Sequence, residues 1–293
     1  MCNKTSLNDK YGEFLIVEKV HDINVEVSII MSAYNTSEFF LRKSIESILE
    51  QTFNNFEFII VNDGSNILTT KILNEYLDQD QRIKIIEQKN MGITKSLNRA
   101  IYLANGKYIA RQDTDDIWEK DKLKQQITFL EKNRNIVLIG TQCKILDENL
   151  NDISLSFPSH INRLSICSSE DIRSSLTRYN PFCHSSILIN KNFLLSVGSY
   201  NDKYKYAQDY ELWVRVMKKY DAAILPDYLT NKIFHKNSIT GGNKRRLQRQ
   251  LAIKAKGKAI YYFGAPLKYK IIFLFRFVGI FLIPEILIKL VKK

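Results

Sequence analysis

Residues 27–33 read Val-Ser-Ile-Ile-Met-Ser-Ala, an apolar run rich in β-branched side chains that is typical of a buried strand. The run ends near Asn35, a residue that favours turns, and apolar side chains then recur at helical spacing from Phe39 to Leu49. A strand followed directly by an amphipathic helix forms one βα unit. The order of these two patterns therefore predicts an α/β fold.

The βα pattern repeats in the residues that follow. Strand-like runs at 56–61, 82–87 and 107–111 alternate with helical periodicity, and turn signals at Asp63-Gly64 and Asn105-Gly106 separate them. Strands that alternate with helices in this way pair in a mostly parallel sheet with helices packed on its faces. We therefore predict a Rossmann-like, mostly parallel sheet flanked by helices.

A cluster of acids, Asp113-Thr114-Asp115-Asp116, follows the last of these strands. Ligands of open α/β sheets gather at the carboxyl ends of the strands, and the same edge carries Ala33-Tyr34-Asn35 and Asp63. Neighbouring carboxylates repel one another unless they share a cation, and oxygen ligands suit Mg²⁺ or Mn²⁺. The cluster alone is also compatible with a solvated loop. Its place at this edge favours a divalent metal that holds a diphosphate.

Five groups of residues, in one order along the chain, resemble the motifs of the family 2 glycosyltransferases, which have the GT-A fold. They are Ser32-Ala33-Tyr34-Asn35; Val61-Asn62-Asp63-Gly64-Ser65; Asn90-Met91-Gly92-Ile93 with Asn98-Arg99-Ala100; Asn105-Gly106-Lys107-Tyr108-Ile109 leading to the acid cluster; and Gln208-Asp209-Tyr210-Glu211-Leu212-Trp213. Each match alone has chance-level specificity, but five in register are specific. Together they extend over residues 27–240.

The resemblance implies a site for a nucleotide diphosphate sugar at the strand edge. By similarity, Asp63 binds the base or ribose, and the backbone of Ala33-Tyr34-Asn35 flanks the base. Asp113 faces the ribose or the metal, and Asp115 is the direct ligand of Mg²⁺ or Mn²⁺. A divalent cation on both phosphates stabilises the negative charge that develops on a leaving diphosphate.

Asp209 is the general base that the resemblance implies. In an inverting transfer, one carboxylate takes the proton of the acceptor hydroxyl as that hydroxyl attacks the anomeric carbon. The family usually has Glu-Asp here, whereas this chain has Gln208-Asp209. The part that Gln208 takes in acceptor contacts is therefore open. An acid in the first turn of a helix also has a structural explanation, and both roles are compatible.

Two histidines lie in segments that are similar to those of the family. His184, within residues 181–186, belongs to the acceptor side by resemblance, although a histidine beside an apolar strand is often structural. His235 lies in a segment, 234–240, that resembles the family's closing segment over the diphosphate. It is a candidate contact to the metal or to phosphate, and Lys236 is the alternative source of positive charge.

The excess positive charge of the chain lies at its C-terminal end. The net charge is +12, and residues 244–293 hold 13 of the 43 Lys and Arg and a single acid, Glu285. Basic and apolar residues interleave at 244–258, as in a basic amphipathic helix, and an apolar stretch follows at 271–283. Arg276 interrupts that stretch, which is shorter than the roughly 20 residues of a membrane span. We therefore expect peripheral or monotopic attachment to an anionic membrane surface, with a helical subdomain packed on the core as the alternative.

These patterns divide the chain into an N-terminal extension at 1–26, a GT-A domain at 27–240 and a helical, membrane-associating tail at 241–293. The four cysteines form no Cys-x-x-Cys pair, so neither a disulfide framework nor a zinc site is expected. No secretory signal is recognisable. The basic tail accompanies no nucleic-acid-binding module, so nucleic acid is not an expected partner. The expected location is the cytoplasmic face of the cell membrane.

The resemblance implies an inverting, metal-dependent enzyme that transfers one hexosyl or N-acetylhexosaminyl group from a nucleotide diphosphate sugar to a lipid-linked or surface glycan acceptor. The Q-x-x-R-W motif of processive synthases does not occur in the sequence, which favours addition of a single sugar. Two alternatives stay open. Gln208 suggests a non-catalytic nucleotide-sugar-binding protein, and a sugar nucleotidyltransferase is less favoured because the chain has no Gly-rich phosphate loop.

Overall fold

A computed structural model of the chain describes residues 3–19, 24–157, 165–234 and 245–281. Within these residues the chain forms eleven strands and nine α-helices. The strands are β1 (Asn3–Asp9), β2 (Gly12–Glu18), β3 (Val27–Ala33), β4 (Phe56–Asp63), β5 (Ile83–Gln88), β6 (Tyr108–Arg111), β7 (Ile117–Trp118), β8 (Ile136–Leu146), β9 (Asp152–Phe157), β10 (Leu188–Asn190) and β11 (Asp221–Ile233). The helices are α1 (Glu38–Leu49), α2 (Ile67–Gln79), α3 (Ile93–Leu103), α4 (Lys122–Lys132), α5 (Ser169–Leu176), α6 (Lys191–Ser196), α7 (Gln208–Lys219), α8 (Arg245–Phe263) and α9 (Leu267–Phe281).

The centre of the sheet consists of the four strands that the sequence predicts. β5, β4, β3 and β6 lie side by side and pair in parallel. Side chains alternate between the two faces of a strand, so Ile30 and Ile59 pack with α3 in one core, whereas Ile29 and Phe58 pack with α1 and α2 in the other. The predicted α/β fold, with helices on both faces of the sheet, is confirmed.

Antiparallel pairing extends this centre on both sides, so the complete sheet is mixed. β1 and β2 form a hairpin that joins β5, and β10 pairs antiparallel with both β6 and β8. β8 then pairs in parallel with β11 and antiparallel with β9. A hairpin needs only a short turn, whereas a parallel pair needs a crossover that the helical periodicity reveals. The parallel part was therefore the part that the sequence pattern could predict.

The N-terminal hairpin is fastened to the sheet by the buried guanidinium of Arg99 on α3. Arg99 donates to the two carboxylate oxygens of Asp9 at 2.6 and 2.9 Å, to the carbonyl of Gly12 at 3.0 Å and to the side-chain oxygen of Gln88 at 2.6 Å. Residues 3–18, within the predicted N-terminal extension, thus contribute two strands to the sheet of the predicted GT-A domain.

The two C-terminal helices differ in how they contact the rest of the protein. Leu251, Ala255 and Ala259 of α8 are buried in the same core as α7. α9 folds back along α8, where Gly257 allows close approach, because a Cβ atom there would lie 3.0 Å from the ring of Phe273. No residue of α9 is buried. In the part of the chain that the structure describes, none of the helices combines the length and hydropathy needed to cross a membrane.

Candidate active site

The loops after β3 and β4 lie side by side because these strands are neighbours in the sheet. Asn35 has a left-handed φ of 49°, and its side-chain oxygen accepts the N–H of Asn66 at 2.7 Å. The Ser65 hydroxyl donates to the carbonyl of Ala33 at 3.1 Å. Ala33 is buried, whereas Tyr34 is 54% exposed. The predicted donor-side residues of both loops are therefore brought together, with the ring of Tyr34 accessible from solvent.

Asp63, at the end of β4, holds the beginning of α3. Its buried carboxylate accepts hydrogen bonds from the N–H groups of Met91 at 2.8 Å and Gly92 at 2.9 Å, and from the side-chain amide of Gln88 at 2.7 Å. The first N–H groups of a helix have no partner within the helix, and a carboxylate stabilises them. The structure thus shows a structural role for Asp63, and its contact with a base or ribose stays a prediction.

Asp113 directly follows β6 and is held by two neighbours. The buried Arg111 donates to one carboxylate oxygen, and the Ser185 hydroxyl lies 3.2 Å from the other. The same hydroxyl accepts the N–H of Asp113 at 3.1 Å. Burial by itself would raise the pKa of Asp113, but the positive charges of Arg111 and Lys232 outweigh it and hold the pKa well below its usual range. Asp113 is therefore ionised at neutral pH.

Asp116, the last acid of the cluster, points into the fold. Its carboxylate accepts hydrogen bonds from the Ser185 hydroxyl and, at 3.2 Å, from the N–H of Ile233 on β11. Burial raises the pKa of Asp116 to about 6, against the opposing charge of Lys232. Asp115 is partly exposed beside it. The cluster is thus anchored to the sheet through Asp113 and Asp116, with Asp115 between the two anchors.

His184, in a single turn of 3₁₀ helix, pairs with Tyr200. Its Nε2 atom lies 2.6 Å from the Tyr200 hydroxyl, and its ring packs edge-on against Trp213. Burial and then the charge of Arg111 lower the pKa of His184 well below its usual value, so the imidazole is neutral at neutral pH. These contacts are structural. A contact between His184 and an acceptor stays a prediction.

Asp209 lies in the first turn of α7, after the buried Gln208. Ala207, which precedes the helix, has a left-handed φ of 52°, a conformation that costs free energy for residues other than glycine and is found at functional sites. The side-chain amide of Asn180 donates to Asp209 Oδ2 at 2.6 Å. Burial raises the pKa of Asp209, and the charge of Asp113 adds to this rise, although backbone hydrogen bonds and the charge of Arg111 oppose it.

A pocket of about 760 Å³ opens beside Asp209, between the start of α7 and the C-terminal helices α8 and α9. Its polar lining includes Arg178 and Asn180 from the loop after α5, Asp209, Arg249 and Lys256 from α8, and Arg276 from α9. Asp209 is the sole carboxylate among the described residues that line it. The pocket can therefore present one base to a bound molecule within a positively charged wall.

The residues that hold the acid cluster in place were not predicted from the sequence. Arg111 ends the strand before the cluster, and a basic residue at that point is the one signal that the sequence offers. Ser185 and the cations of the pocket come from segments far along the chain, and no local pattern connects them to Asp113 or Asp209. The predicted metal or phosphate contact His235 lies outside the described residues.

The sequence profile of glycosyl transferase family 2 matches residues 28–201. A protein of Haemophilus influenzae described as an uncharacterized glycosyltransferase is 33% identical over 240 residues, which cover 81% of this chain and 74% of that protein. The amylovoran biosynthesis glycosyltransferase AmsE of Erwinia amylovora is 30% identical over 205 residues, which cover 69% of this chain and 74% of AmsE.

Among solved structures, the mannosyltransferase PcManGT of Pyrobaculum calidifontis, in complex with GDP-Man and Mn²⁺, is similar with a TM-score of 0.62. The two chains are 17% identical, and the match covers 89% of this chain and 73% of PcManGT. This likeness supports the GT-A fold predicted from the motifs. The profile match over more than half of the chain, together with the relative at 33% identity, shows that the protein belongs to glycosyl transferase family 2 and is a glycosyltransferase.

Proposed function

We propose that the protein is an inverting, metal-dependent enzyme that adds one sugar from a nucleotide diphosphate sugar to a lipid-linked or surface glycan acceptor. The observation that carries this proposal is the position of Asp209, whose carboxylate lines a pocket with a positively charged wall. A direct displacement needs a base held beside the acceptor hydroxyl, and this position supplies one. The biosynthetic role in the name of AmsE supports a polysaccharide or surface glycan as the acceptor.

In the proposed reaction, Asp209 takes the proton of the acceptor hydroxyl. The hydroxyl oxygen forms a bond to the anomeric carbon while the bond from that carbon to the diphosphate oxygen breaks, and the diphosphate leaves with the electron pair. A raised pKa makes Asp209 a better proton acceptor than an ordinary aspartate.

The chemistry of the acid cluster fits a hard divalent cation, because its side chains offer oxygen donors. Asp115, which the resemblance to the family motif implies as the metal ligand and which is partly exposed between Asp113 and Asp116, is the proposed direct ligand. No group of three or more His, Cys, Asp or Glu is placed to enclose an ion within the described residues. The proposed ion is therefore held mainly by Asp115, the donor diphosphate and water, as is common for Mg²⁺. When bound, Mg²⁺ or Mn²⁺ would stabilise negative charge on the leaving diphosphate.

The proposed place of action is the cytoplasmic face of the cell membrane, with α9 attached at the interface. Apolar side chains of α9 are exposed, among them Leu274 at 59% and Phe275 at 73%. Lys268 and Lys270, at the start of the same helix, are also exposed and could contact anionic headgroups. Because α8 is packed on the core, this part of the tail is proposed to hold α9 at a fixed position relative to Asp209.

Donor binding is tested by thermal unfolding of the full-length protein with a panel of nucleotide diphosphate sugars, each with and without Mn²⁺. We expect one class of donor to raise the unfolding temperature in a manner that depends on Mn²⁺, because a ligand of the folded state stabilises by RT ln(1 + [L]/Kd). The anomeric configuration of the transfer product, measured by NMR, then tests inversion. A panel in which no donor changes the unfolding temperature would contradict the proposal.

A further inference from the structure

We propose that the pocket between α7, α8 and α9 binds the phosphate or diphosphate group that joins an acceptor sugar to its lipid. This inference deepens the proposed function and rests on the assignment of Asp209 as the base. The proposed general base, Asp209, lies at one side of the pocket. Four cations contribute to the pocket wall: Arg178, Arg249, Lys256 and Arg276. An anionic acceptor is the chemistry that this wall selects.

Among the residues that the structure describes, no carboxylate neutralises the four cations. None of them forms an ion pair with another described residue, and Asp209 is the sole acid in the described lining. The Nε atom of Arg178 is buried and forms no hydrogen bond with the described part of the chain. A buried donor without a partner costs free energy, so a ligand oxygen in this pocket would relieve that cost.

Lys256 shows the effect of this uncompensated charge. Burial and the nearby guanidinium of Arg276 lower the pKa of Lys256 to about 8. Lys258, two residues along the same helix, forms a 2.9 Å ion pair with Glu211 on α7, and its pKa is raised. Residues two positions apart lie on different faces of a helix. One face of α8 thus attaches to the core by a paired lysine, and the other presents an unpaired lysine to the pocket.

The spacing of the pocket residues fits one ligand that contacts both helices. Arg249 and Lys256 are seven residues apart on α8 and therefore lie on one face. Arg276 and Ile280 are four residues apart on α9 and face the same space. Ile253 and Ile280 add apolar surface to the cationic wall. α9 also carries the exposed apolar residues Leu274 and Phe275. A phosphate with an alkyl chain matches this sequence of surfaces better than a free sugar phosphate does.

The test measures binding of dodecyl phosphate to the full-length protein by calorimetry, with Mn²⁺ and a nucleoside diphosphate present to fill the donor site. The pocket variant is Lys256→Gln with Arg276→Gln. The matched control is Lys124→Gln with Lys132→Gln on α4, which removes the same charge from exposed positions outside the pocket. We expect the pocket variant to lose at least about tenfold in affinity, because two charged hydrogen bonds to phosphate are removed, and the control to lose less than about twofold.

Further probes separate the source of the phosphate. Glucose 1-phosphate and inorganic phosphate should bind more weakly than dodecyl phosphate, and dodecyl glucoside, which has no charge, should not bind at the pocket. Equal binding of dodecyl phosphate and glucose 1-phosphate would overturn the lipid part of the inference. Equal losses of dodecyl phosphate affinity in the pocket variant and the control would contradict the proposed site, since general surface charge would then explain the binding.

Donor-dependent thermal shifts distinguish this inference from the proposed function. Both double variants should keep the donor shift of the wild type, because Lys256, Arg276, Lys124 and Lys132 belong neither to the acid cluster nor to the loops after β3 and β4. A protein that binds donor and dodecyl phosphate but transfers no sugar would contradict the proposed function. A protein that transfers sugar with unchanged acceptor KM in the pocket variant would instead contradict the phosphate site.

Discussion

The Nζ atom of Lys258 on α8 lies 2.9 Å from Oε1 of Glu211 on α7, and Glu211 is buried. The other carboxylate oxygen of Glu211 accepts the Nε–H of Arg215 at 2.9 Å. α7 also carries Asp209 in its first turn. The buried carboxylate of Glu211 thus joins α8 to α7, the helix that positions the proposed base Asp209. Residues of both helices line the pocket.

Glu211→Ala should destabilise the protein by about 3 kcal/mol, because it leaves the Arg215 and Lys258 charges without their shared partner. Lys258→Met should cost about 1 kcal/mol, since Lys258 is 41% exposed and Glu211 keeps its bond to Arg215. Urea unfolding followed by circular dichroism measures both values. Equal effects of the two substitutions would contradict the shared-partner arrangement.

Asp209→Asn should slow transfer by about 10²- to 10⁴-fold, which is the usual contribution of a positioned general base to the rate. Donor affinity should stay nearly unchanged. The base must be deprotonated, so wild-type transfer should fall as pH decreases through the raised pKa of Asp209, and the residual rate of the variant should lack this acidic limb. Steady-state kinetics between pH 4 and pH 8 measure the transfer rates of the wild type and of the variant. A comparable loss of donor binding would indicate that Asp209 shapes the nucleotide site instead.

Asp115→Asn should abolish the Mn²⁺-dependent part of donor binding, because the amide lacks the charge that holds a hard cation. Thermal shifts with and without a chelator provide the measurement. Asp121→Asn is the control, since Asp121 is a nearby acid that bonds the Thr52 hydroxyl at 2.6 Å and lies outside the cluster. Full, chelator-sensitive transfer by the Asp115 variant would show that the metal assignment is wrong.

Leu274→Ser with Phe275→Ser should weaken binding to vesicles rich in anionic lipid by at least about tenfold, because each buried Leu or Phe side chain contributes about 1.5–3 kcal/mol. Ile67→Ser with Tyr102→Ser is the control, as these side chains are 89% and 73% exposed elsewhere on the protein. Flotation at low and high salt measures the effect, and the loss should persist at high salt.

This pair of substitutions is a sharper test than deletion of all residues after Asn243. The deletion should also reduce binding to anionic vesicles, but it removes α8 and so uncovers the core that Leu251, Ala255 and Ala259 cover. Loss of stability would then accompany any loss of binding. Equal vesicle binding by the Leu274/Phe275 variant and the wild type would favour a helical subdomain without a membrane role.

Asp9→Asn should destabilise the N-terminal hairpin by about 3 kcal/mol, because Arg99 is buried and would keep an unpaired charge. Burial would raise the pKa of Asp9, but the hydrogen bond and the charge of Arg99 outweigh it, so the pKa lies below its ordinary value. The stabilisation is therefore full above the ordinary pKa and is lost as pH falls through the lowered one. Unfolding at pH 7 and pH 3 measures this, with Glu13→Gln on the same hairpin as the exposed control. If the Asp9 variant loses as much stability between pH 7 and pH 3 as the wild type does, acids other than Asp9 are responsible for that loss.

The central βα units, and the edge of the sheet at which the site lies, could be predicted from local sequence patterns. The strand predicted at 27–33 is β3, and the one predicted at 56–61 is extended by two residues in β4. Both patterns are local, since burial of a strand or of one helix face leaves a periodicity within a few residues. The order of the strands then placed Ala33, Asp63 and Asp113 at neighbouring strand ends.

Tertiary structure alone decided what these residues contact. Ser185 bonds Asp113 across 72 positions of sequence, Arg99 bonds Asp9 across 90, and Lys258 bonds Glu211 across 47. Side-chain periodicity reports which face of an element is buried but not which distant element covers it. The pKa of Asp209 depends in the same way on burial and on the charges of Arg111 and Asp113, which belong to a distant part of the chain and act on Asp209 only in the folded protein.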